Sequence, residues 1–500
     1  MGTARRQAKA KSLRSTEAPP ALRTTAAGRA AHWFWYAGAS AAVILPCYWQ
    51  SRIQAGDLSS HIYNAWLARG IASGQIHGLT LVHQTTNILF DLLLSSLLPL
   101  TGAAAAQKLA VSIAVLIFVW GAFRFVRAVS GRDAWPMLPA LAVLGYGWVF
   151  HMGFFNFYLS LGLCLWGLAL AWKGGRRRLA IAVLLFACAW IAHLLPVLWS
   201  AGMLGYRWAA GRLSWRRRLQ VLGGYAGLLV VAHFAILRTF TSSWNARQFL
   251  LATGADQAWI FDDKYYLTFA ALAVIWGLLL VDLALGRSMR AVVSSLPFEL
   301  CAINAAAVVI LPTEASGHGF TASFIADRLS LLTGICVCAV LASGKAGALR
   351  RYGLPLVALA FFVFLFRDER ILNAFEDRIE SAAASLPPYQ RVVSGIYDSD
   401  LHIDPLTHMI DRACIGRCYS YGNYEPSSGE FRVRAAGPNG VVTANYVDSW
   451  LLENGAYRVK PRDAPLYEVG LDESGALRTQ VLQAGDATRS TYWKVLPALF

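Results

Sequence analysis

Charged residues are scarce in this chain, and acidic residues are scarcer than basic ones. Only 15% of the 500 residues are charged, with 29 acidic against 45 basic residues, while 56% are hydrophobic. A soluble domain of this size carries about a quarter charged residues. The composition therefore excludes an ordinary soluble globular protein and predicts an integral membrane protein with the lipid bilayer as a partner.

The scarcity of acid leaves a net charge of +16, which we do not interpret as nucleic-acid binding. The basic residues lie in an N-terminal tail and in short gaps between apolar stretches, where they act as topology signals. Residues 1–30 hold seven basic residues against the single acid Glu17 and contain no apolar signal-peptide core. We expect a disordered cytoplasmic tail before a signal-anchor helix.

Apolar stretches of membrane-spanning length recur from about Trp33 to Phe366, and Lys/Arg clusters occupy every second gap between them. A bilayer needs about 20 apolar residues per helix, and cytoplasmic loops carry the Lys/Arg excess. The pattern predicts a polytopic α-helical membrane protein with about eleven transmembrane helices in residues 31–366 and a cytoplasmic N-terminus, in the plasma (bacterial inner) membrane. The larger outer loops are expected at residues 51–85, 240–264 and 312–327.

Two apolar stretches are not expected to cross the membrane as single helices. Asn87–Thr101 is short and contains Asp91, and a crossing there would place the later arginine clusters outside, so we expect it at the outer interface. Residues 179–207 contain His193 and Pro196 in their middle. Two short helices that turn at His193 keep the arginine clusters on both sides inside, and we therefore predict two helices there.

The composition changes at Arg367, where charges become frequent and turn signals such as Pro438-Asn439-Gly440 appear between short alternating runs. Residues 367–500 are expected to form a small soluble α/β or mostly β domain on the extracytoplasmic side. Six of the eight cysteines lie in apolar segments, but Cys414 and Cys418 lie in this domain and are a disulfide candidate. The weaker alternative is a zinc site that adds His402, Asp404, His408 and Asp411.

Polar residues capable of chemistry collect on the predicted outer side. Gly56-Asp57 reads as a helix start, so Asp57 has two interpretations: a cap for free helix amides, or a general base held at the membrane surface. His61 follows one helical turn later, on the same face, and is expected to tune that carboxylate or to contact a phosphate. The remaining candidate substrate-binding residues are Asn87, Asp91, His151, Asn156, His193, Lys264, Glu314, His318, Asp327 and Arg328.

Four of these residues could contact a phosphate or pyrophosphate: His193, Lys264, His318 and Arg328. A leaving phosphate develops negative charge, which fixed cations stabilise. Each residue also has a purely structural explanation. Arg328 could pair with Asp327 at a helix start, Lys264 could belong to a solvated loop, and His193 could mark a tight turn.

The arrangement resembles the GT-C class of polytopic membrane glycosyltransferases, which includes relatives of the protein O-mannosyltransferases and aminoarabinose transferases. The matching features are a basic N-terminus, one span, a first outer loop with the early acid Asp57 before an amphipathic helix, a polar outer face and a C-terminal extracytoplasmic domain. The likeness covers about residues 30–366, and Asp57 alone matches at the level of a residue.

The resemblance implies a transferase that moves a sugar, with inversion, from a polyprenyl-phosphate-linked donor to a glycan, lipid or protein acceptor. Asp57 would be the catalytic base, and Arg328, with Lys264 or His193, would bind the donor phosphate. Many relatives have two nearby acids in the first loop. Asp57 stands alone here, so a divalent metal is not supported and we expect no cofactor.

Two other functions remain open at the level of sequence. A multi-pass transporter or lipid flippase would place ionisable residues near the bilayer midplane, and Asp282 and Glu299 are the exceptions to an apolar midplane here. No internal repeat is evident, although inverted-repeat transporters often show one. A non-catalytic envelope assembly protein would instead use the soluble domain for binding.

Overall fold

The computed structural model describes residues 26–317, 320–345 and 347–497, so most of the predicted tail and also His318 lie outside the described residues. The described chain is mostly helical. The α-helices are α1 (Ala26–Ile44), α2 (Leu58–Ala72), α3 (Leu89–Ser130), α4 (Leu138–Gly145), α5 (Trp148–His151), α6 (Phe155–Lys173), α7 (Arg176–Ala192), α8 (Leu194–Ala210), α9 (Trp215–Thr239), α10 (Gln248–Leu251), α11 (Tyr265–Arg287), α12 (Met289–Val293), α13 (Leu296–Ile310), α14 (Ile325–Ala342), α15 (Leu354–Ala384), α16 (Met409–Ala413), α17 (Glu425–Ser428) and α18 (Tyr446–Glu453).

The chain divides into two compact units at Leu45, and α1 belongs to the first of them. The second unit runs from Pro46 onward and contains every candidate site residue that the structure describes. The predicted soluble domain is therefore part of the same compact unit as the apolar helices after α1.

Six helical stretches within the described residues are long and apolar enough to cross a membrane. They are Leu89–Ser130, Phe155–Lys173, Trp215–Thr239, Tyr265–Arg287, Ile325–Ala342 and Leu349–Ala384. Helix α9 exposes apolar side chains, among them Leu228, Val231 and Phe234 at 64% each. A helix with so much exposed apolar surface fits a lipid environment. The count of about eleven spans stays a prediction, because the other apolar stretches form shorter helices.

Two breaks divide the apolar helices where the sequence predicts separate segments. Gly102 has φ 76° and ψ 168°, which interrupts α3 and separates the stretch with Asp91 from the apolar helix that follows. Glycine adopts this backbone conformation without the steric cost of a side chain. His193 is extended between α7 and α8, and its Nδ1 accepts a hydrogen bond from the Leu195 N–H at 3.2 Å. The structure thus has the two short helices expected around His193.

The described C-terminal region is a mixed α/β structure built around a four-stranded sheet. The strands of the described chain are β1 (Leu79–Leu81), β2 (Thr241–Ser243), β3 (Glu314–Gly317), β4 (Phe320–Ala322), β5 (Arg391–Ser394), β6 (Ile396–Tyr397), β7 (Tyr419–Ser420), β8 (Val433–Ala435), β9 (Leu466–Leu471), β10 (Leu477–Leu482) and β11 (Thr491–Tyr492), of which β5–β11 belong to the C-terminal region. The order of the four-stranded sheet is β10–β9–β5–β7, in which β5 is parallel to β7 and β9 while β9 and β10 are antiparallel. Val393, Leu452 and Leu466 form part of its apolar core.

The C-terminal region shares secondary structure with the rest of the second unit. Helix α15 runs without interruption across the predicted domain boundary at residues 366 and 367. Strand β8 pairs with β1, which follows α2. The change in composition at Arg367 therefore marks the point where α15 begins to carry buried polar side chains, and it does not mark the end of an element.

A buried ion pair joins α16 to α15. The Arg412 guanidinium donates to both carboxylate oxygens of Glu376, at 2.6 and 2.7 Å, and the Glu376 side chain is 1% exposed. The same guanidinium donates to the Gln107 Oε1 at 2.6 Å and to the Ile53 carbonyl at 3.1 Å. Four segments distant in sequence therefore meet at Arg412.

We expect Arg412→Met to lower the free energy of unfolding by about 3 kcal/mol, because it removes the guanidinium that donates to both oxygens of the buried Glu376 carboxylate and leaves only the more distant Arg52, at 3.8 Å. Thermal or chemical unfolding of the full chain in detergent measures this change. Lys494→Gln is the control, since Lys494 pairs with Asp400 at an exposed position and should have little effect. Equal stability of the Arg412→Met variant and the wild type would contradict the prediction.

Candidate functional site

Asp57 is held at the start of α2 by backbone contacts to the segment before α6. The Gly56 N–H donates to the His151 carbonyl at 2.7 Å, and the Asp57 N–H donates to the Met152 carbonyl at 3.1 Å. Gly153 has φ +86°, and a Cβ there would lie 2.5 Å from the Asp57 nitrogen. Glycine is therefore required at residue 153 for the two segments to approach each other this closely.

The Asp57 side chain does not cap the helix that it precedes. Asp57 occupies the N-cap position of α2 but makes no side-chain cap hydrogen bond, which removes the capping interpretation. Its carboxylate is 23% exposed and lines a cavity of about 330 Å³. Other polar side chains of this cavity are Arg247, Asp327, His402, Asp404 and His408.

A histidine–carboxylate pair from the C-terminal region faces Asp57. The His408 Nε2 lies 3.7 Å from the Asp57 Oδ1, and its Nδ1 lies 3.1 Å from the Asp411 Oδ2. Burial disfavours charge on His408, but the hydrogen bond and charge of Asp411, together with Glu453 and Asp57, outweigh burial and raise its pKa to about 10. At neutral pH, His408 is thus an imidazolium beside the Asp57 carboxylate.

A second buried histidine–carboxylate pair, His61 and Asp91, is hydrogen-bonded to Asn156, and the sequence predicted all three as site residues. The His61 Nδ1 lies 2.9 Å from the Asp91 Oδ1, and the Asn156 amide donates to the Asp91 Oδ2 at 2.7 Å. Burial lowers the pKa of His61, but Asp91 and then Glu425 reverse that effect and raise it to about 10. The His61 side chain therefore contacts Asp91, and within the described residues no side-chain hydrogen bond or ion pair joins it to the Asp57 carboxylate. The His61 N–H donates to the Asp57 carbonyl at 2.9 Å, as part of the first turn of α2.

Hydrogen bonds connect the two histidine pairs. The Asn423 amide donates to the Asp411 Oδ2 at 3.1 Å and to the Ser60 Oγ at 2.9 Å. The Ser60 hydroxyl in turn donates to the Glu425 Oε1 at 3.1 Å, and that oxygen lies 3.8 Å from the His61 Nδ1. Burial raises the pKa of Glu425 to about 8. A polar network thus extends from Asp57 to α3 through the C-terminal region.

Arg328 lies at the start of α14 with its guanidinium over aromatic rings. The guanidinium carbon is 4.1 Å from the centre of the Phe154 ring and 5.8 Å from that of Phe157. Within the described residues, no carboxylate oxygen lies within ion-pair distance of Arg328, and its Nε has no hydrogen-bond partner. Asp57 and Asp327 are close enough to act on its charge. Arg328 is therefore a cation without a paired anion near Asp57.

The cavity wall next to Arg328 contains a strained residue. Phe324 precedes α14 with φ 57° and ψ 36°, in the left-handed region that bulky residues rarely adopt. Its ring packs against Trp148 and Phe154, at centroid distances of 5.4 and 5.7 Å. Such strain is concentrated at functional sites.

The other predicted residues are placed differently. The Lys264 Nζ is 2.5 Å from the Asp262 Oδ2 and 2.9 Å from the Asp368 Oδ1, so two carboxylates already neutralise it. His151 is buried with its Nδ1 at 3.0 Å from the Gln54 carbonyl. The remaining residues are Asn87, whose carbonyl accepts from Asn156 at 3.2 Å, His193, which caps α8, and Glu314, which is exposed on β3.

The cysteine pair forms a disulfide in the structure, between Cys414 and Cys418, immediately after the helix that carries Asp411. Among residues 26–317, 320–345 and 347–497, no group of three or more His, Cys, Asp or Glu side chains is arranged to hold a metal ion. The zinc alternative therefore has no support among these residues, and one of the two histidines that it invoked, His408, faces Asp57 instead.

Sequence reasoning missed the role of His408 and Asp411 in this site, apart from naming them in the zinc alternative. Their i, i+3 spacing at the start of a short helix was the available signal, since such spacing brings two side chains to one helix face. Nothing in the sequence indicated that this helix lies against Asp57.

Comparison of the chain with models of known protein families, with curated proteins and with solved structures found no match.

The raised pKa of His408 has a consequence for stability. The charged His408 side chain contributes its full stabilisation below about pH 6.5, which is the pKa of a histidine in the unfolded chain. This stabilisation is lost as the pH rises through about 10, the pKa in the folded protein. We expect the free energy of unfolding to fall between about pH 7 and 10, and to fall less in His408→Gln. Chemical unfolding across this pH range in detergent measures both slopes.

His402→Gln is the matched control for this measurement. Burial, then Arg247, lowers the pKa of His402 to about 4, so its contribution changes only below about pH 6.5. The control should keep the wild-type slope at alkaline pH. A His408→Gln variant with the wild-type slope would show that His408 is not charged in the folded protein.

Proposed function

We propose that this protein is a membrane glycosyltransferase that moves a sugar from a polyprenyl-phosphate-linked donor to an acceptor at the extracytoplasmic face of the plasma membrane. One observation carries the proposal: the Asp57 carboxylate lines a cavity together with Asp327, and the adjacent Arg328, whose charge Asp57 influences, has no paired carboxylate among the described residues. Glycosyl transfer from a phosphate needs a base for the acceptor and a cation for the leaving group.

The chemistry is a single displacement with inversion. The Asp57 carboxylate takes the proton of the acceptor hydroxyl as that oxygen attacks the anomeric carbon of the donor. The bond between this carbon and the phosphate oxygen breaks, and the oxygen keeps the electron pair. Arg328 stabilises the negative charge that grows on the phosphate, since a guanidinium matches phosphate oxygens in a bidentate geometry.

His408 places a positive charge beside the base. Its Nε2 lies 3.7 Å from the Asp57 Oδ1, and Asp411 holds the ring in place through its Nδ1. His61 has a supporting role, because its side chain is committed to Asp91 and Glu425. Lys264 is removed from the donor-phosphate ligands, since two carboxylates neutralise it.

Access for a lipid donor is consistent with the composition of the helices around the site. Arg328 begins α14 and Asp91 begins α3, and both helices are candidate membrane spans. A phosphate at these helix starts would lie at the lipid–water boundary while its polyprenyl chain remains in the bilayer. The orientation rests on the positive-inside rule, which puts these helix starts on the extracytoplasmic side.

A transporter or flippase remains the second candidate because Glu299 is buried in an apolar helix. Its carboxylate already accepts a hydrogen bond from Tyr206 at 2.9 Å and pairs with Arg218 at 3.1 Å. A carboxylate committed to fixed partners is less suited to binding a transported ion, and we therefore rank this function below transfer.

The first test is transfer of radiolabel from a polyprenyl-phosphate sugar pool in membranes. We expect Asp57→Asn to lower transfer by about 10²–10⁴-fold, because the base is lost. Asp263→Asn is the control, since Asp263 is an exposed acid that does not line the cavity. Transfer unaffected by Asp57→Asn would remove Asp57 as base. No transfer by the wild type would favour transport or envelope assembly.

A second test concerns the leaving group. We expect Arg328→Gln to lower the transfer rate by about 10²–10³-fold at saturating donor, because the charge on the phosphate loses its stabilising cation. Arg328→Lys should retain part of the rate, since it keeps the charge but loses the bidentate geometry. Equal rates for the Gln variant and the wild type would assign the phosphate to another cation.

A further inference from the structure

The C-terminal region contains a second polar cleft, which no prediction above uses. Its volume is about 560 Å³, larger than that of the Asp57 cavity. The cleft is lined by Arg391 of β5, by residues that follow β7 and β8, and by residues that precede α18 and β9. Among the lining residues are Arg391, Tyr421, Gly440, Asn445 and Arg462.

Arg391 is fixed in the wall of this cleft. Its guanidinium donates to the Arg462 carbonyl at 2.9 Å and to the Ala464 carbonyl at 3.2 Å, and lies 5.4 Å from the centre of the Tyr421 ring. An arginine has five N–H donors, so these two bonds leave donors for another partner. Within the part of the chain that the structure describes, Arg391 makes no ion pair with a carboxylate.

The charges around the cleft leave an excess of cation. Asp448 accepts from Lys460 at 2.6 Å and from Arg462 at 3.2 Å, and the Arg462 Nε also lies 3.6 Å from the Asp463 Oδ1. Together with Arg391, three cations therefore face two carboxylates. Asp463 is buried and accepts hydrogen bonds from Tyr421 and Tyr457. The acids near the cleft are thus committed to internal partners, and the site favours an anionic ligand.

Exposed aromatic side chains stand beside the cleft. Tyr446 and Trp450 are 52% and 54% exposed, and they lie four residues apart on α18, which begins next to the cleft residue Asn445. Side chains at this spacing share one helix face. Flat aromatic surfaces beside convergent polar groups fit a ligand that has both apolar ring faces and hydroxyl groups, as a saccharide has.

The cleft and the Asp57 cavity are neighbours. Between residues 420 and 423, Tyr421 lines the cleft while Ser420 and Asn423 donate to Asp411 on the other side. Helix α18 runs from the cleft toward Glu453, whose carboxyl is close enough to act on His408. Eight helical residues span about 12 Å, so the length of α18 is comparable to that of a few sugar units.

We propose that this cleft binds an acidic saccharide, that is, a sugar segment bearing a carboxylate or a phosphate. Arg391 and Arg462 contact the anionic group, and the exposed aromatic face of α18 contacts the sugar rings. Its assignment as the part of the acceptor that leads into the Asp57 cavity rests on the proposed function. Binding itself does not depend on that function.

The test is calorimetric titration of the full chain in detergent with saccharides that differ in charge. Trigalacturonate supplies carboxylates, glucose 6-phosphate supplies a phosphate, and maltotriose and glucose are the neutral counterparts. Gly440→Trp fills the cleft, since a Cβ at Gly440 meets no atom within 4 Å. Arg462→Gln removes a cation that is 53% exposed, and Arg478→Gln is its control, an arginine 75% exposed and paired with Asp472 outside the cleft.

We expect an acidic saccharide to bind more tightly than its neutral counterpart, and Arg462→Gln to weaken binding about tenfold through the loss of a charge-assisted hydrogen bond. Gly440→Trp should abolish binding and Arg478→Gln should not change it. The stronger of the two acidic probes identifies the anionic group. Failure of both acidic probes to bind, equal binding of the neutral probes, or full binding by Gly440→Trp would overturn the proposal.

The same proteins separate this proposal from the proposed function. Asp57→Asn should bind the acidic probe as the wild type does, because Asp57 does not line the cleft. Binding of an acidic saccharide without any sugar transfer in membranes would contradict the proposed transferase function and support the saccharide cleft. Asp57-dependent transfer without binding of an acidic saccharide would support the transferase function and contradict the saccharide cleft.

Discussion

The burial of Arg412 is the constraint on which the rest of the site depends. Its guanidinium is bound by Glu376 and Gln107 and by the Ile53 carbonyl, so it joins α15, α3 and the loop before Asp57. Each ion of a buried pair costs several kcal/mol of desolvation, which only close and complete pairing offsets. The four segments must therefore meet in one geometry. Because His408 lies one helical turn before Arg412, this geometry also places His408 beside Asp57.

The polar groups around Asp57 differ in how completely they are satisfied. Asp91, Asp411 and Glu425 all have partners within the network, so they hold elements together and are not free to react. Arg328 is different, because its guanidinium packs against aromatic rings and its Nε has no partner among the residues described. A cation packed against apolar groups interacts more strongly with an incoming anion than one in water. This contrast between completed pairs and a cation without a paired carboxylate separates the supporting residues from those suited to chemistry.

Some of the site residues that were predicted from the expected membrane topology lie together in the fold, and others lie apart. Asp91, Asn156 and His61 form one hydrogen-bonded group, although 30 residues separate His61 from Asp91 and 65 separate Asp91 from Asn156. Lys264 met the same criteria of charge and side of the membrane, yet Asp262 and Asp368 neutralise it. Loop charge predicts on which side of the membrane a residue lies, that is, its position along the membrane normal. Which residues form pairs also depends on their positions within the membrane plane.

Local features of the sequence were sufficient to predict a largely helical, apolar chain and the break at His193, because helix period, loop charge and composition are read within short windows. The predicted number of about eleven spans is not confirmed, since six helical stretches within the described residues are long and apolar enough to cross a membrane. The three-dimensional packing was needed to show that α15 continues through the change in composition at Arg367, and that the C-terminal region delivers His408 and Asp411 to Asp57. Most of the chain lies between Asp57 and His408 in sequence. Contacts at such separation depend on how buried charges are paired, which no local pattern encodes.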